Sequence, residues 1–438
     1  MTRQSNKKTP QQIIAESPLS RVQIVAIFIC IMLTALDGFD VLSISFASPG
    51  IASEWGINRA ALGIVLSMEL IGMAIGSIVL GNLADRIGRR PLVLACLIIM
   101  SGGMLLAGFA NDVMSLSIYR FLTGIGIGGM LAATNAMTAE HSNTRRRNMA
   151  VILMSAGFPL GAIIGGSIST VLLQSFDWRS VFIFGGLVTA GFIPFVWFLL
   201  PETVSFLAKK RSSRSLTKIN SILKRMGHAT VETLGEQEPE TTRVGIAKLF
   251  TPALARITLL LTAAYFAHIM TFYFILKWIP KIVVDMGYAA STAGSVLVWA
   301  NVGSLIGALL LGFLSQRFSV RLLVMGALVF AVVMVNVFGL GYETIQQLAL
   351  IAAVVGFFTN SAVVGLYAIL AQSFPTQVRA SGTGFVIGVG RGGSAAGPII
   401  AGYLFAMGQG LQTVAFVMAL GSLVAAVMLF LLPKEKKD

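Results

Sequence analysis

Long apolar runs separated by short polar breaks recur along the whole chain. They fall at residues 22–46, 60–83, 92–110, 114–139, 149–172, 180–200, 254–279, 289–314, 322–340, 345–371, 381–404 and 411–432. Runs of about 20 apolar residues have the length that carries a helix across a bilayer's hydrocarbon core. The pattern predicts an all-α integral membrane protein with twelve transmembrane helices. Composition agrees: 56% of the 438 residues are hydrophobic, 11% are charged, and the mean hydropathy is +0.84. A soluble domain carries about 25% charge, so an ordinary soluble enzyme is excluded.

The net charge of +14 would suggest nucleic acid in a soluble protein, but here its placement is topological. Breaks on one side, with both chain ends, hold nearly all the Lys and Arg outside the runs. The opposite breaks hold Arg59, Arg179 and Lys281. By the positive-inside rule both termini and the long central loop are cytoplasmic. The first 20 residues are polar and the first run is too long for a signal-peptide core, so it is read as an uncleaved helix. Cys30 and Cys96 both lie within apolar runs, where packing is their expected role. His141, His228 and His268 are too scattered for a metal set. The chain has no GxxxxGK[ST] loop, and its Gly124–Gly129 cluster follows no strand, so no nucleotide cofactor or metal is expected.

An internal repeat organises the runs. Gly81-Asn82-Leu83-Ala84-Asp85-Arg86 recurs weakly as Gly312-Phe313-Leu314-Ser315-Gln316-Arg317, at an offset of 231. Arg147–Gly166 aligns with Arg379–Pro398 at 232, matching Gly161 to Gly393 and Gly165 to Gly397. Two pseudo-symmetric six-helix bundles follow, at 22–200 and 254–432, with tails at 1–21 and 433–438. The hydrophilic stretch 201–253 is basic at first (Lys209, Lys210, Arg211, Arg214) and acidic later (Glu232, Glu236, Glu238, Glu240). Short amphipathic helices on the membrane surface are expected there. Duplicated halves around a central site are a recurring transporter plan.

Several of these residues resemble a known family. Gly81–Pro91 (GNLADRIGRRP) resembles the loop between the second and third helices of the major facilitator superfamily. Arg120-x-x-x-Gly124-x-Gly126-x-Gly128 is similar to that superfamily's fourth-helix motif, and Pro201-Glu202-Thr203 to the end of its sixth helix. Asp37-Gly38-Phe39-Asp40 resembles the first-helix motif of its aromatic acid/proton symporters. The resemblance implies a twelve-helix fold in two bundles and import of organic acids with protons. Gln316 stands where the first half has Asp85, so only one half carries the full charged loop.

Ionisable residues at membrane depth are costly and usually face a cavity or a partner. Asp37 and Asp40 project from one helix face near the midplane. Two neighbouring carboxylates at that depth suit proton uptake and release, and Glu69 and His268 are further proton-coupling candidates. Glu69 is read chiefly as an arginine's partner, and His268 equally as an interhelical contact. Arg391, flanked by glycines, presents a forked donor face that fits a carboxylate. It is read as a substrate ligand or as an ion pair with Asp37 or Glu69. Arg120, Tyr265, Tyr273, Tyr367 and Lys277 complete the substrate-binding set. Lys277 precedes Trp278 and Pro280 at what reads as a membrane edge, where snorkelling is the stronger reading.

The loop residues Gly81, Asp85, Arg86, Gly88, Arg89 and Arg90, with Glu140, Arg147 and Arg379, are gating candidates. Asp85 is expected against the positive N-terminus of the eleventh helix near Ala380, holding the halves together on the cytoplasmic side. The reading is a secondary transporter in a bacterial inner membrane, importing a small organic acid by proton symport. Its partners are that acid, protons and the bilayer, without nucleic acid, and a monomer is the default. Rivals are a proton antiporter, suggested by Gly157-Phe158-Pro159-Leu160-Gly161, and a non-transporting sensor on the same fold.

Overall fold

The structure, a computed structural model, describes residues 8–212, 214–234, 246–252, 254–375 and 378–433, without the side chains of 85, 246 and 380. It contains twelve long helices, counted here from first to twelfth. The first six are Arg21–Trp55, Arg59–Ile87, Arg89–Gly108, Val113–His141, Arg147–Ser175 and Arg179–Leu199. The second six are Ala255–Asp285, Ala290–Leu314, Val320–Gly339, Ile345–Ser373, Arg379–Ala406 and Leu411–Phe430. Eleven are long and apolar enough to cross a membrane. The eleventh helix falls short because glycines and Arg391 dilute its apolar residues, yet it packs among the others against the second and seventh.

Helix starts follow local chemistry. Ser20, Asn58, Asp112, Ser319 and Thr344 each accept a hydrogen bond from a first-turn amide of the helix that follows. Two sequence boundaries were set too early. The first helix continues past 46 to Trp55, and the seventh past 279 to Asp285, each containing a proline, Pro49 and Pro280. These prolines are 231 residues apart. Within a packed membrane bundle, neighbouring helices support the freed backbone groups, so proline does not end the helix.

The repeat is a repeat of packing. Second against fourth is matched by eighth against tenth, first against fifth by seventh against eleventh, and third against sixth by ninth against twelfth. The glycines show why. A Cβ at Gly161 would strike the backbone of Ala35, and one at Gly393 would strike that of Phe266, 231 residues on from Ala35. Likewise Gly72 lies against Phe121 and Gly303 against Ala353. Without a hydrophobic force to join helices in lipid, such close backbone approach is what binds them.

Among the described residues, the contacts between the halves gather toward one end of the bundle. The second and eleventh helices pair at Gly63 with Pro398 and Gly402, at Ser67 with Ala395, and at Met73 with Arg391. Continuing along the same face of the eleventh helix, a Cβ at Gly388 or Gly384 would meet nothing within 4 Å. On the second helix Ile78 and Val79 are exposed at that level. The halves are therefore closed at the end away from the termini, called the far end below, and parted toward the termini. Arg391 sits where they separate.

At the termini-bearing end, the short helices Pro10–Glu16, Val204–Lys210 and Ser215–Arg225 bury Ile13, Ile14, Phe206, Leu207, Ile219 and Leu223 in a small separate core. Val204–Lys210 and Ser215–Arg225 fall in the stretch where short helices are expected, whereas Pro10–Glu16 lies in the N-terminal tail, where none is. Glu236, Glu238 and Glu240 lie outside the described residues. Gly161→Val and Gly393→Val should each cost about 1–3 kcal/mol through overpacking. Gly102→Ala, where a Cβ meets nothing within 4 Å, should be near neutral. Thermal unfolding of purified protein in detergent checks this.

Candidate functional site

The first helix brings Asp37 and Asp40 to its midpoint, both fully buried, with no hydrogen-bond partner on any of their four carboxylate oxygens. Around them lie charges from four other helices. Glu69 of the second is ion-paired with Arg120 of the fourth, and Lys277 of the seventh lies 3.3 Å from its other oxygen. Arg120 also donates to the Asp40 carbonyl at 2.6 Å and contacts Met104 sulfur at 2.8 Å. Gly124 makes the Arg120 pair possible. It sits one turn beyond Arg120 and lets the fourth helix rest on the Glu69 backbone. Among the described residues Glu69 pairs with Arg120 and with Lys277, and not with Arg391.

Arg391 of the eleventh helix is half-buried at the floor of the cleft. Among the described residues its guanidinium makes one hydrogen bond, to the Met73 carbonyl at 3.3 Å, and no ion pair. Asp37, Tyr265 and Tyr273 lie within its electrostatic reach. Gly390 allows its helix to approach the Tyr265 ring, and the Tyr265 and Tyr367 hydroxyls are 3.0 Å apart. Tyr265 and Tyr273 are buried, whereas Tyr367 is 40% exposed. Asp37, Arg391 and the tyrosines thus form one neighbourhood, with Arg391 half-buried and Tyr367 exposed at its edge.

One candidate and the tryptophan beside it are placed differently from expectation. Lys277 does not snorkel. It is fully buried two turns before the helix ends, and its ammonium also donates to the Val41 carbonyl. Trp278, expected as a membrane-edge anchor, is buried and donates to the Pro398 carbonyl at 3.2 Å. Ending the helix at 279 had moved both residues outward. His268 takes the interhelical role. Its Nε2 lies 2.9 Å from the Thr359 carbonyl, an acceptor only, so that nitrogen carries the proton, and Nδ1 accepts from Ser422 Oγ at 3.0 Å. With both nitrogens engaged inside the second half, it is not brought to Asp37 and Arg391.

The loop candidates form a joint within the first half. Gly88 has φ 110° and a Cβ there would collide with Glu202, so only glycine serves. Glu202 accepts from the amides of Thr203 at 2.8 Å, Arg89 at 3.1 Å and Arg90 at 3.3 Å, capping the third helix from the end of the sixth. Burial pushes its carboxyl above its ordinary value, against the pull of those amides. Arg89 also meets Glu140 at 3.4 Å, and Arg90 donates to the Trp197 carbonyl. A Cβ at Gly81 would come into ordinary contact with Ala132 of the fourth helix, again within the first half. Arg379 donates to Phe374 of its own half at 3.3 Å, while Arg86 and Arg147 are exposed. The expected contact of Asp85 near Ala380 involves side chains outside those described. Glu202 was missing from the predicted site, although its Pro-Glu-Thr motif signalled it.

A duplicated bundle with a charge cluster at membrane depth is the architecture of a multi-pass membrane transporter. The Major Facilitator Superfamily family model matches residues 27–298 and 261–438. A gallate transporter of Pseudomonas putida is 30% identical over 418 residues, covering 94% of this chain and 92% of that protein. The 4-hydroxybenzoate transporter PcaK of Acinetobacter baylyi is 30% identical over 427 residues, covering 96% and 93%. A 3-(3-hydroxy-phenyl)propionate transporter of Escherichia coli is 29% identical over 409 residues, covering 93% of each. The chain belongs to the Major Facilitator Superfamily, within its aromatic acid transporter family.

Glu202→Ala should lower the unfolding temperature by removing the third-helix cap, worth about 1–2 kcal/mol. Glu202→Gln, which keeps an acceptor oxygen, should lose less. Thermal unfolding of the two variants side by side measures the difference.

Proposed function

We propose that the protein imports a small aromatic carboxylate together with a proton, by alternating access, with both termini cytoplasmic. The observation that carries this reading is Arg391, a guanidinium at the cleft floor that pairs with no acid among the described residues. A fixed, forked cation beside tyrosine rings suits a carboxylate attached to an aromatic ring. The names of the relatives point the same way: gallate and 4-hydroxybenzoate carry the carboxylate on the ring, and 3-(3-hydroxy-phenyl)propionate carries it on a short chain from the ring.

Asp37 is the proton carrier in this reading. Its oxygens have no hydrogen-bond donor, and it lies within reach of Arg391, Asp40 and Glu69. Protonated Asp37 leaves Arg391 as the local charge to be matched by the arriving carboxylate. Anion and proton then cross together, so no net charge is carried through the hydrocarbon depth. Glu69 and Arg120, tied to each other, hold the site's shape and link it to Asp40. Arg89, Glu140 and Glu202 brace the termini end of the first half as it rocks. A bacterial inner membrane and a monomeric carrier fit this reading.

Uptake into proteoliposomes from a panel of ring and open-chain acids tests it. Arg391→Ala should weaken the apparent affinity for ring acids about 10- to 100-fold, the loss of a charged hydrogen-bonded contact of about 1.5–3 kcal/mol. Retained affinity would remove the carboxylate assignment. Asp37→Asn should abolish accumulation driven by an inward pH gradient while leaving substrate counterflow. Undiminished accumulation would remove the proton assignment.

A further inference from the structure

At the far end the halves meet along two seams that the repeat makes equivalent. One joins the fifth helix to the eighth, the other the second to the eleventh. In the first seam Phe46 of the first helix is buried against Gly166 and Gly294. Its counterpart 231 residues on is Lys277. That ammonium is equally buried and reaches across to Glu69 at 3.3 Å and to the Val41 carbonyl, both in the first half. Its neighbour Trp278 ties the seventh helix to Pro398 of the eleventh. One seam is thus plugged by an aromatic ring, and the equivalent seam is closed by an ion pair.

We propose that Lys277 and Glu69 form the charged half of a far-end gate: their contact breaks when the cleft opens at that end, so Lys277 holds a conformation and not a substrate. Parting the apolar seam separates Phe46 and Thr170 from Gly294, and Gly166 from Val298, with no charge among them. Parting the charged seam strips an ammonium of both its acceptors, and that is costly until water enters. Glu69 keeps Arg120 in either state because both belong to the first half. Lys277 alone loses its partners. This asymmetry makes Lys277 the residue whose removal favours opening without leaving an unmatched acid behind.

The physiological meaning of this gate rests on the alternating-access reading, but its test needs neither transport nor substrate. Ser67 is buried in the same seam, its hydroxyl donating to the Ala395 carbonyl at 2.8 Å. With Cys30 and Cys96 replaced by alanine, Ser67→Cys reports whether the seam is open. In detergent, its labelling by a maleimide should be slow, and Lys277→Met should speed it about tenfold, as expected for a modest population shift. Lys277→Arg, which keeps the charge, should stay close to the parent. Size-exclusion chromatography confirms folding, and Lys277→Gln gives a second uncharged variant for the same comparison. In a Ser67→Cys/Ala395→Cys protein, bridging by a short bifunctional methanethiosulfonate should fall with Lys277→Met. Unchanged labelling and bridging in the folded uncharged variants would overturn the proposal. So would equal acceleration by Lys277→Arg, since the charge would then be irrelevant.

Discussion

A charge buried at membrane depth must be neutralised by what stands beside it, because no water is there to do so. Asp37, Asp40, Glu69, Arg120 and Lys277 are all fully buried, and their placement governs the molecule's centre. Glu69 is shared between two cations, one from each half. Arg120 in turn holds the Asp40 backbone, which fixes the middle of the first helix. Replacing one member therefore disturbs helices from both bundles. A buried ion pair is weak evidence for stability, but here it specifies how the halves face each other.

The fold was largely legible in the sequence because membrane helices announce themselves by length and apolarity. The two errors are alike: the runs were ended at 46 and 279, yet each helix continues through a proline, Pro49 or Pro280. The second error propagated to Lys277, which lost its depth and was assigned to the membrane edge. Asp37, Glu69, Arg120 and Arg391 were recognisable as stranded charges. Which of them pair was not recognisable, because pairing depends on helix rotation and on backbone spacing at glycines such as Gly124. Two hydrogen bonds to other helices account for His268, and no local pattern around residue 268 encodes them.

The termini end shows a different economy. There the charged loop between the second and third helices is folded onto its own half, with Glu202 drawing together backbone from two loops. Its arginines meet Glu140 and the Trp197 carbonyl. A dense basic motif read as a gate is, in this open conformation, also the brace that keeps three helix ends in register.

The glycine ladders explain why the ancestral duplication is still faintly visible. At Gly161 and Gly393, or Gly72 and Gly303, any side chain would push one helix off its neighbour. Lipid-facing positions in between meet no such steric limit. Beside a few shared side chains, such as Arg86 with Arg317 and Pro49 with Pro280, the duplication survives as a spacing of voids where nothing larger than hydrogen fits.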